Sequence, residues 1–204
     1  MVAEQLVARG ITDERVLEAM RRVPRHVFVE EALRFRAYGD HPLPIGEGQT
    51  ISQPYIVALT LQALCLQGTE RVLEVGTGSG YQAAVLAGLA EKVYTIERLK
   101  VLGARARDAL DSLGYHNVVG RISDGSLGWP EESPFDAIVV AASTPEVPAP
   151  LKEQLAVGGR MVVPVGEADE QVLLQMVKED GDFKVEMLSP CVFVKLLGKH
   201  GWQK

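Results

Sequence analysis

A chain of 204 residues suits one domain with a sizeable core, and 47% hydrophobic with 24% charged residues is ordinary globular composition. The net charge of −6 disfavours a nucleic-acid partner, whose phosphates call for a basic face. "MVAEQLVARG" carries acid early and no apolar run approaches the ~20 residues of a membrane span, so no signal peptide, no membrane contact and a cytoplasmic location are expected.

In chain order, "TDERVLEAMRRVP" predicts a helix with Thr12 as N-cap, Val16, Leu17 and Met20 on one face, and Pro24 as its stop. Tyr38 to Thr50, "YGDHPLPIGEGQT", is rich in Gly and Pro and is predicted as a long irregular connection, a kind of loop that tends to carry function. "QPYIVALTLQALCLQG" reads as a buried helix with Pro54 in its first turn and Gly68 past its end. The two cysteines, Cys65 and Cys191, lie in apolar runs without metal-ligand spacing; buried free thiols and no metal site are expected.

From Arg71 onward β-branched and helical runs alternate. "RVLEVG", "KVYTIE", "NVVGRI", "FDAIVVAA" and "RMVVPVG" read as strands, and "YQAAVLAGLA", "RLKVLGARARDALDSLG" and "PAPLKEQLAVGG" as helices. That order predicts an α/β fold with a doubly wound, mostly parallel sheet and helices on both faces. "QVLLQMVKEDGDFKVEMLS" predicts a hairpin about its Asp-Gly turn, antiparallel at the C-terminal edge. "CVFVKLL" extends the second of those strands or forms another.

"LEVGTGSGYQ" stands where the first of these strands turns into its helix. Gly76, Gly78 and Gly80, with Thr77 between them, let the backbone turn tightly and approach a ligand. A P-loop is disfavoured, because no Gly-Lys-Ser/Thr comes after the glycines. A dinucleotide fingerprint wants Gly or Ala at Tyr81, and its pyrophosphate would be repelled by Glu74. A ligand with a positive end, such as S-adenosylmethionine, suits Glu74 better. Glu97 closes the second strand 21 positions after Gly76, where an acid can accept ribose hydroxyls, and Asp124-Gly125 follows the third strand where the adenine would lie. Taken singly, Glu97 can equally pair with Arg98 or a lysine, and Asp124 can merely start a turn. Their joint placement at strand carboxyl ends points to a cofactor site.

The segment after the fourth strand narrows the acceptor. "AASTPEVP" stands there in place of the Asn/Asp-Pro-Pro-aromatic element of base-amine methyltransferases, and Cys191 is too far along the chain to serve as a cytosine-directed nucleophile. Oxygen or nitrogen on a small molecule or a protein remains.

"LPIGEGQTISQPYIVALTLQAL", "LEVGTGSGYQAAVLA", "VYTIER", "FDAIVVAAS" and "LAVGGRMVVPVG" together resemble the protein-L-isoaspartate (D-aspartate) O-methyltransferase family, from about Val16 to Val194. "GQTISQP" is the specific part; the glycine loop is common to many methyltransferases. The resemblance implies a class I, Rossmann-like methyltransferase of the cytosol that moves a methyl group from S-adenosylmethionine to the free α-carboxylate of isoaspartyl residues in damaged proteins. It implies that Ser52 is the active-site serine and that Gln49, Thr50, Ile51 and Ser52 lie against the cofactor. Thr50 is a second candidate donor to the substrate carboxylate, and Ser52 as an N-cap of the helix at Pro54 is the competing reading. On this view the chain is a single domain and a monomer, with residues 1–53 an extension on the substrate side and residues 54–204 the cofactor-binding core. Leu43 to Gly46 and Ser143 to Val147 are the segments expected to face the peptide flanks.

The chemistry agrees. A carboxylate with a pKa near ~4 is ionised at neutral pH and needs no general base. His26, His41, His116 and His200 form no triad-like pattern. Two departures from the family stand out: Ser123-Asp124-Gly125 replaces Gly-Asp-Gly, and Val194-Lys195-Leu196 replaces Val-Pro-Leu. The tail "LGKHGWQK" offers no clear match. The rival readings are a small-molecule methyltransferase, a binding module without turnover, and a nicotinamide-dependent dehydrogenase, the last disfavoured by Glu74 and Tyr81.

Overall fold

The computed structural model describes residues 1–203. Helix α1, Glu14–Arg22, is capped by Asp13 rather than Thr12: the Asp13 carboxylate accepts from the Arg15 and Val16 N–H groups, which have no partner inside a first turn. Thr12 stays outside and donates its N–H to Gln62 Oε1 at 2.7 Å. At the other end Val23 is extended, as the ring of Pro24 requires, and Val16, Leu17 and Met20 are buried.

The connection ahead of the next helix is more regular than its composition suggests. Leu43–Gly46 (β1) and Gln49–Ile51 (β2) pair antiparallel in a sheet of two strands, separate from the main one. Gly46, Glu47 and Gly48 turn the corner with φ of 87°, 53° and 67°, so the flanking glycines take left-handed positions that side chains resist. Helix α2, Pro54–Ala63, stops short of its expected length, because Cys65 is itself left-handed at φ 51°. Cys65 is therefore exposed, against the expectation of a buried thiol, while Cys191 is half-buried.

The main sheet has seven strands: β3 Arg71–Val75, β4 Lys92–Glu97, β5 Val118–Ile122, β6 Phe135–Val140, β7 Leu155–Gly166, β8 Gln171–Lys178 and β9 Phe183–Cys191. Their spatial order is β5-β4-β3-β6-β7-β8-β9, parallel from β5 to β7, with β8 and β9 antiparallel at the edge. Helices α3 (Tyr81–Ala87), α4 (Lys100–Ser112) and α5 (Ala149–Gln154) are the crossovers. β7 begins at Leu155, inside the stretch predicted as helix. "CVFVKLL" is neither a further strand nor a full extension of β9: beyond Cys191 the chain runs on to make an isolated parallel bridge between Lys195 and Ser143, where Ser143 N–H and Leu196 N–H bond Val194 and Ser143 carbonyls at 2.7 and 2.8 Å. Among the described residues no helix is long and apolar enough to cross a membrane.

Strand alternation sorts the core into two layers. Val72, Val93, Ala137 and Val139 pack with side chains of α1 to α4, whereas Leu73, Val75, Tyr94 and Ile138 pack with Leu151 of α5. The same period turns Glu74 inward toward α3. Crossovers leave in opposite directions from β3 and β6, which are neighbours, so a crevice opens at their carboxyl ends.

Candidate active site

The crevice has a floor and a wall. Its floor is the loop Gly76–Gly80 between β3 and α3, with Glu97 at the end of β4 and Gly125 beyond β5. Its wall is the hairpin strand carrying Gln49, Thr50 and Ile51, continued by Ser52. Gly76, Thr77 and Gly78 line it as well. Gly80 does not face the ligand side; an added Cβ there would lie 3.1 Å from Ala106 Cβ, so this glycine lets α3 approach α4.

The loop's amides are already engaged. Gly76 and Thr77 N–H groups donate to the Ile96 carbonyl at 2.9 and 3.2 Å, Gly80 N–H to the Thr77 carbonyl at 2.9 Å, and Gly78 N–H to Glu97 Oε2 at 2.9 Å. A pyrophosphate would find these donors taken and a carboxylate beside it, which removes the dehydrogenase reading. Glu97 is nearly buried, and its Oε1 accepts from the Leu99 N–H at 2.9 Å. No ion pair to Arg98 or a lysine forms among the described residues. Each carboxylate oxygen keeps a second lone pair, so Glu97 can accept from a diol while holding the loop.

Two predicted residues do other work. Glu74 is fully buried beneath the loop instead of meeting the ligand's positive end: Thr95 Oγ1 lies 2.6 Å from one oxygen and Gln82 Nε2 donates to the other at 3.1 Å. Thr95 in turn bonds the Thr77 hydroxyl at 2.6 Å, tying the carboxyl group to the loop. Burial pushes the Glu74 pKa up to about 8, against the pull of those two hydrogen bonds and with repulsion from Glu97 added.

Asp124 anchors a turn and the C-terminal tail. Its carboxylate accepts from Ser126 N–H and Oγ at 2.9 and 2.7 Å and from the Lys199 N–H at 2.8 Å. Burial alone would raise its pKa; the bonds from Lys199 and Ser126 outweigh that and hold it below the ordinary value. The tail thereby joins the site, with Leu196 and Leu197 lining the crevice. Gly198 makes the approach possible, since a Cβ there would fall 2.1 Å from Asp124 Oδ1.

Ser52 is not a helix cap. The N-cap of α2 is Gln53, with no side-chain cap bond, and Gln53 Nε2 reaches the Asp40 carbonyl at 3.1 Å. Ser52 lines the crevice and also an adjoining cavity bounded by Pro42, Gln53 and Phe193; Thr50, Ala141, Val194 and Lys195 are likewise shared between the two. Gln82, Leu99 and Ala141 are lining residues that sequence reasoning did not single out, and Tyr81 and Lys195, noted there only as departures from other patterns, line the crevice too. Nothing in their local pattern marks them, because three-dimensional neighbours supply their position.

The family model for protein-L-isoaspartate(D-aspartate) O-methyltransferase matches residues 1–201. This chain belongs to that family. The Geobacter metallireducens protein-L-isoaspartate O-methyltransferase is 60% identical over 203 residues, covering 99% of this chain and 94% of the relative. Protein-L-isoaspartate O-methyltransferase 1 of Syntrophobacter fumaroxidans is also 60% identical, over 100% of this chain and 95% of its own. Among solved structures, a protein-L-isoaspartate O-methyltransferase superposes with a TM-score of 0.89 at 29% identity, over 98% of this chain and 67% of that one. A Plasmodium falciparum member in complex with S-adenosyl-L-homocysteine gives 0.84 at 30% identity, over 96% of both chains. The family's fold is the one described above, including the antiparallel edge.

Proposed function

We propose that the protein transfers a methyl group from S-adenosylmethionine to the free α-carboxylate of L-isoaspartyl residues, D-aspartyl residues being a secondary substrate. The observation that carries this reading is the polar strip Thr50–Ser52, shared by a crevice suited to the cofactor and a cavity open to a peptide. The residues fit the cofactor: a floor whose Gly76, Thr77, Gly78 and Gly80 amides are satisfied within the protein, Glu97 with lone pairs to spare, and Gly125 at the far end. When bound, S-adenosylmethionine supplies an electrophilic methyl on a sulfonium. The Ser52 hydroxyl, and Thr50 beside it, donate to a carboxylate oxygen and hold the other oxygen toward the crevice. No base is required, since the acceptor is ionised already. Positioning carries the rate, and well-oriented pairs gain as much as ~7–11 kcal/mol this way. Desolvating two opposite charges that vanish together in the transition state adds to it.

Residues 1–53 supply the acceptor side and residues 54–204 the cofactor core in this reading, with the chain working as a cytoplasmic monomer. Asp124 acts by holding the tail, and Glu74 by holding Thr77 through Thr95. The test is methyl transfer to one peptide sequence in isoaspartyl and aspartyl forms. Base-labile methyl ester on the isoaspartyl form alone is expected; equal uptake by both forms, or none, overturns the reading.

A further inference from the structure

Arg25 is a fully buried cation on the acceptor side. Its Nε donates to the Ala37 carbonyl at 2.7 Å and its Nη2 to the Ser52 carbonyl at 2.6 Å, while Nη1 is buried without a partner. The guanidinium carbon sits 4.7 Å from the centre of the Tyr81 ring, and Tyr81, which lines the crevice, has its buried neutral hydroxyl next to the same guanidinium. Among the described residues no carboxylate lies within ion-pair distance of Arg25. A guanidinium keeps its proton even when buried, so a positive charge without a counter-ion stands in a poorly solvated wall. For folding alone that is a costly choice, because a well-packed neutral side chain does as well or better at such positions. Lys195, the other cation beside Ser52, is exposed and lies over the Trp202 ring at 5.0 Å, so its charge is spread into solvent.

We propose that Arg25 is a positioning residue for the acceptor carboxylate: it fixes Ser52 through the Ser52 carbonyl and biases the cavity beyond toward an anion. The proposal rests on the carboxyl-methylation reading above. Arg25 acts across the Ser52 peptide, from the side away from the substrate, and so does not touch the acceptor. One peptide's thickness of protein leaves an attraction worth roughly ten- to a hundredfold in affinity for a carboxylate. The neutral α-carboxamide of the same peptide would forgo it.

The experiment compares wild type, Arg25→Met and Arg25→Lys. Each is measured for kcat and KM with an isoaspartyl peptide and for S-adenosylhomocysteine affinity by calorimetry. Its S-adenosylhomocysteine complex is then titrated with the α-carboxylate and α-carboxamide peptides. Arg25→Met is expected to cut the preference for carboxylate by about tenfold or more, with S-adenosylhomocysteine affinity kept within about threefold. Arg25→Lys keeps the charge but loses the rigid fork to two carbonyls, so it retains most of the preference and loses kcat by about tenfold. An unchanged preference in Arg25→Met, or a fall in S-adenosylhomocysteine affinity matching that of the peptide, overturns the proposal. If Arg25→Met is insoluble, Arg25→Lys decides: full kcat overturns it and reduced kcat with preserved preference supports it. A wild-type enzyme that methylates neither peptide refutes carboxyl methylation itself, whereas an active wild type matched by its variants refutes only the role of Arg25.

Discussion

Replacing Glu74 by glutamine isolates the ionisation of one carboxyl group. Glu74 is fully buried, with a pKa raised by that burial from 4.5 to about 8. Below pH 4.5 the folded and unfolded chains both carry its proton, so stability does not depend on pH through this group. Between 4.5 and about 8 the unfolded chain has released the proton and the folded chain has not. Folding must then take a proton up, and stability falls as pH rises, by about 1.4 kcal/mol per unit. Above about 8 both states are ionised and the loss levels off. Across the window the loss is on the order of 3–5 kcal/mol, a large share of a domain's total. Glutamine has nearly the same shape and can meet both Thr95 and Gln82, yet it does not titrate. Urea denaturation at pH values from about 5 to about 9, followed by the fluorescence of Trp129 and Trp202, checks this. Near the acid end the two proteins should be closely matched, and at the alkaline end Glu74→Gln should be the more stable by that few-kcal/mol margin. Stability curves that stay parallel over the whole range would mean that Glu74 titrates normally, and the buried link from it to Thr77 would lose its physical basis.

Three further outcomes are expected from the geometry. Asp13→Ala should lower stability by about 1 kcal/mol in urea denaturation while Thr12→Ala stays within about 0.5 kcal/mol, because only Asp13 caps α1. Ser52→Ala should reduce kcat/KM for an isoaspartyl peptide by roughly ten- to a hundredfold and leave the melting temperature within about 2 °C; a lowered melting temperature with intact kcat/KM would make the hydroxyl structural. Gly80→Ala should cost about 1–3 kcal/mol and exceed Gly10→Ala. Both glycines are left-handed, at φ of 87° and 91°, but only at Gly80 does an added Cβ meet Ala106. Thermal melts of the two variants check the difference.

The parallel sheet was legible because each buried strand is a short β-branched run between helical ones, and periodicity of that kind survives into the fold. Glu97 was legible for a similar reason: a strand's last residue must stand at the carboxyl edge. Glu74 was found, but the groups its carboxyl meets were not legible. Its position in the chain places it beside the glycines, and only strand alternation in three dimensions shows that it points under the loop, to Thr95 and Gln82. Asp124's bond to the tail was hidden likewise, since its partner Lys199 lies 75 positions away. Asp13 lost to Thr12 because both are good capping residues and the choice depends on which carbonyl begins the helix. The Tyr38–Thr50 stretch hid a hairpin because Pro44 and the glycines suppress any strand signal. Arg25 gave none at all: a lone arginine after a proline reads as surface until its two carbonyl partners are in place.

The two-stranded ribbon that bears Gln49 and Thr50 is not annealed to the seven-stranded sheet. Its backbone bonds can therefore open by a local fluctuation that leaves the parallel strands intact, and in hydrogen exchange its amides are expected to fall in the weakly protected class while those of β3 and β4 report global unfolding. An enzyme built this way has a rigid half and a compliant half. The compliant half is the one that must accommodate damage wherever in a client sequence it arises.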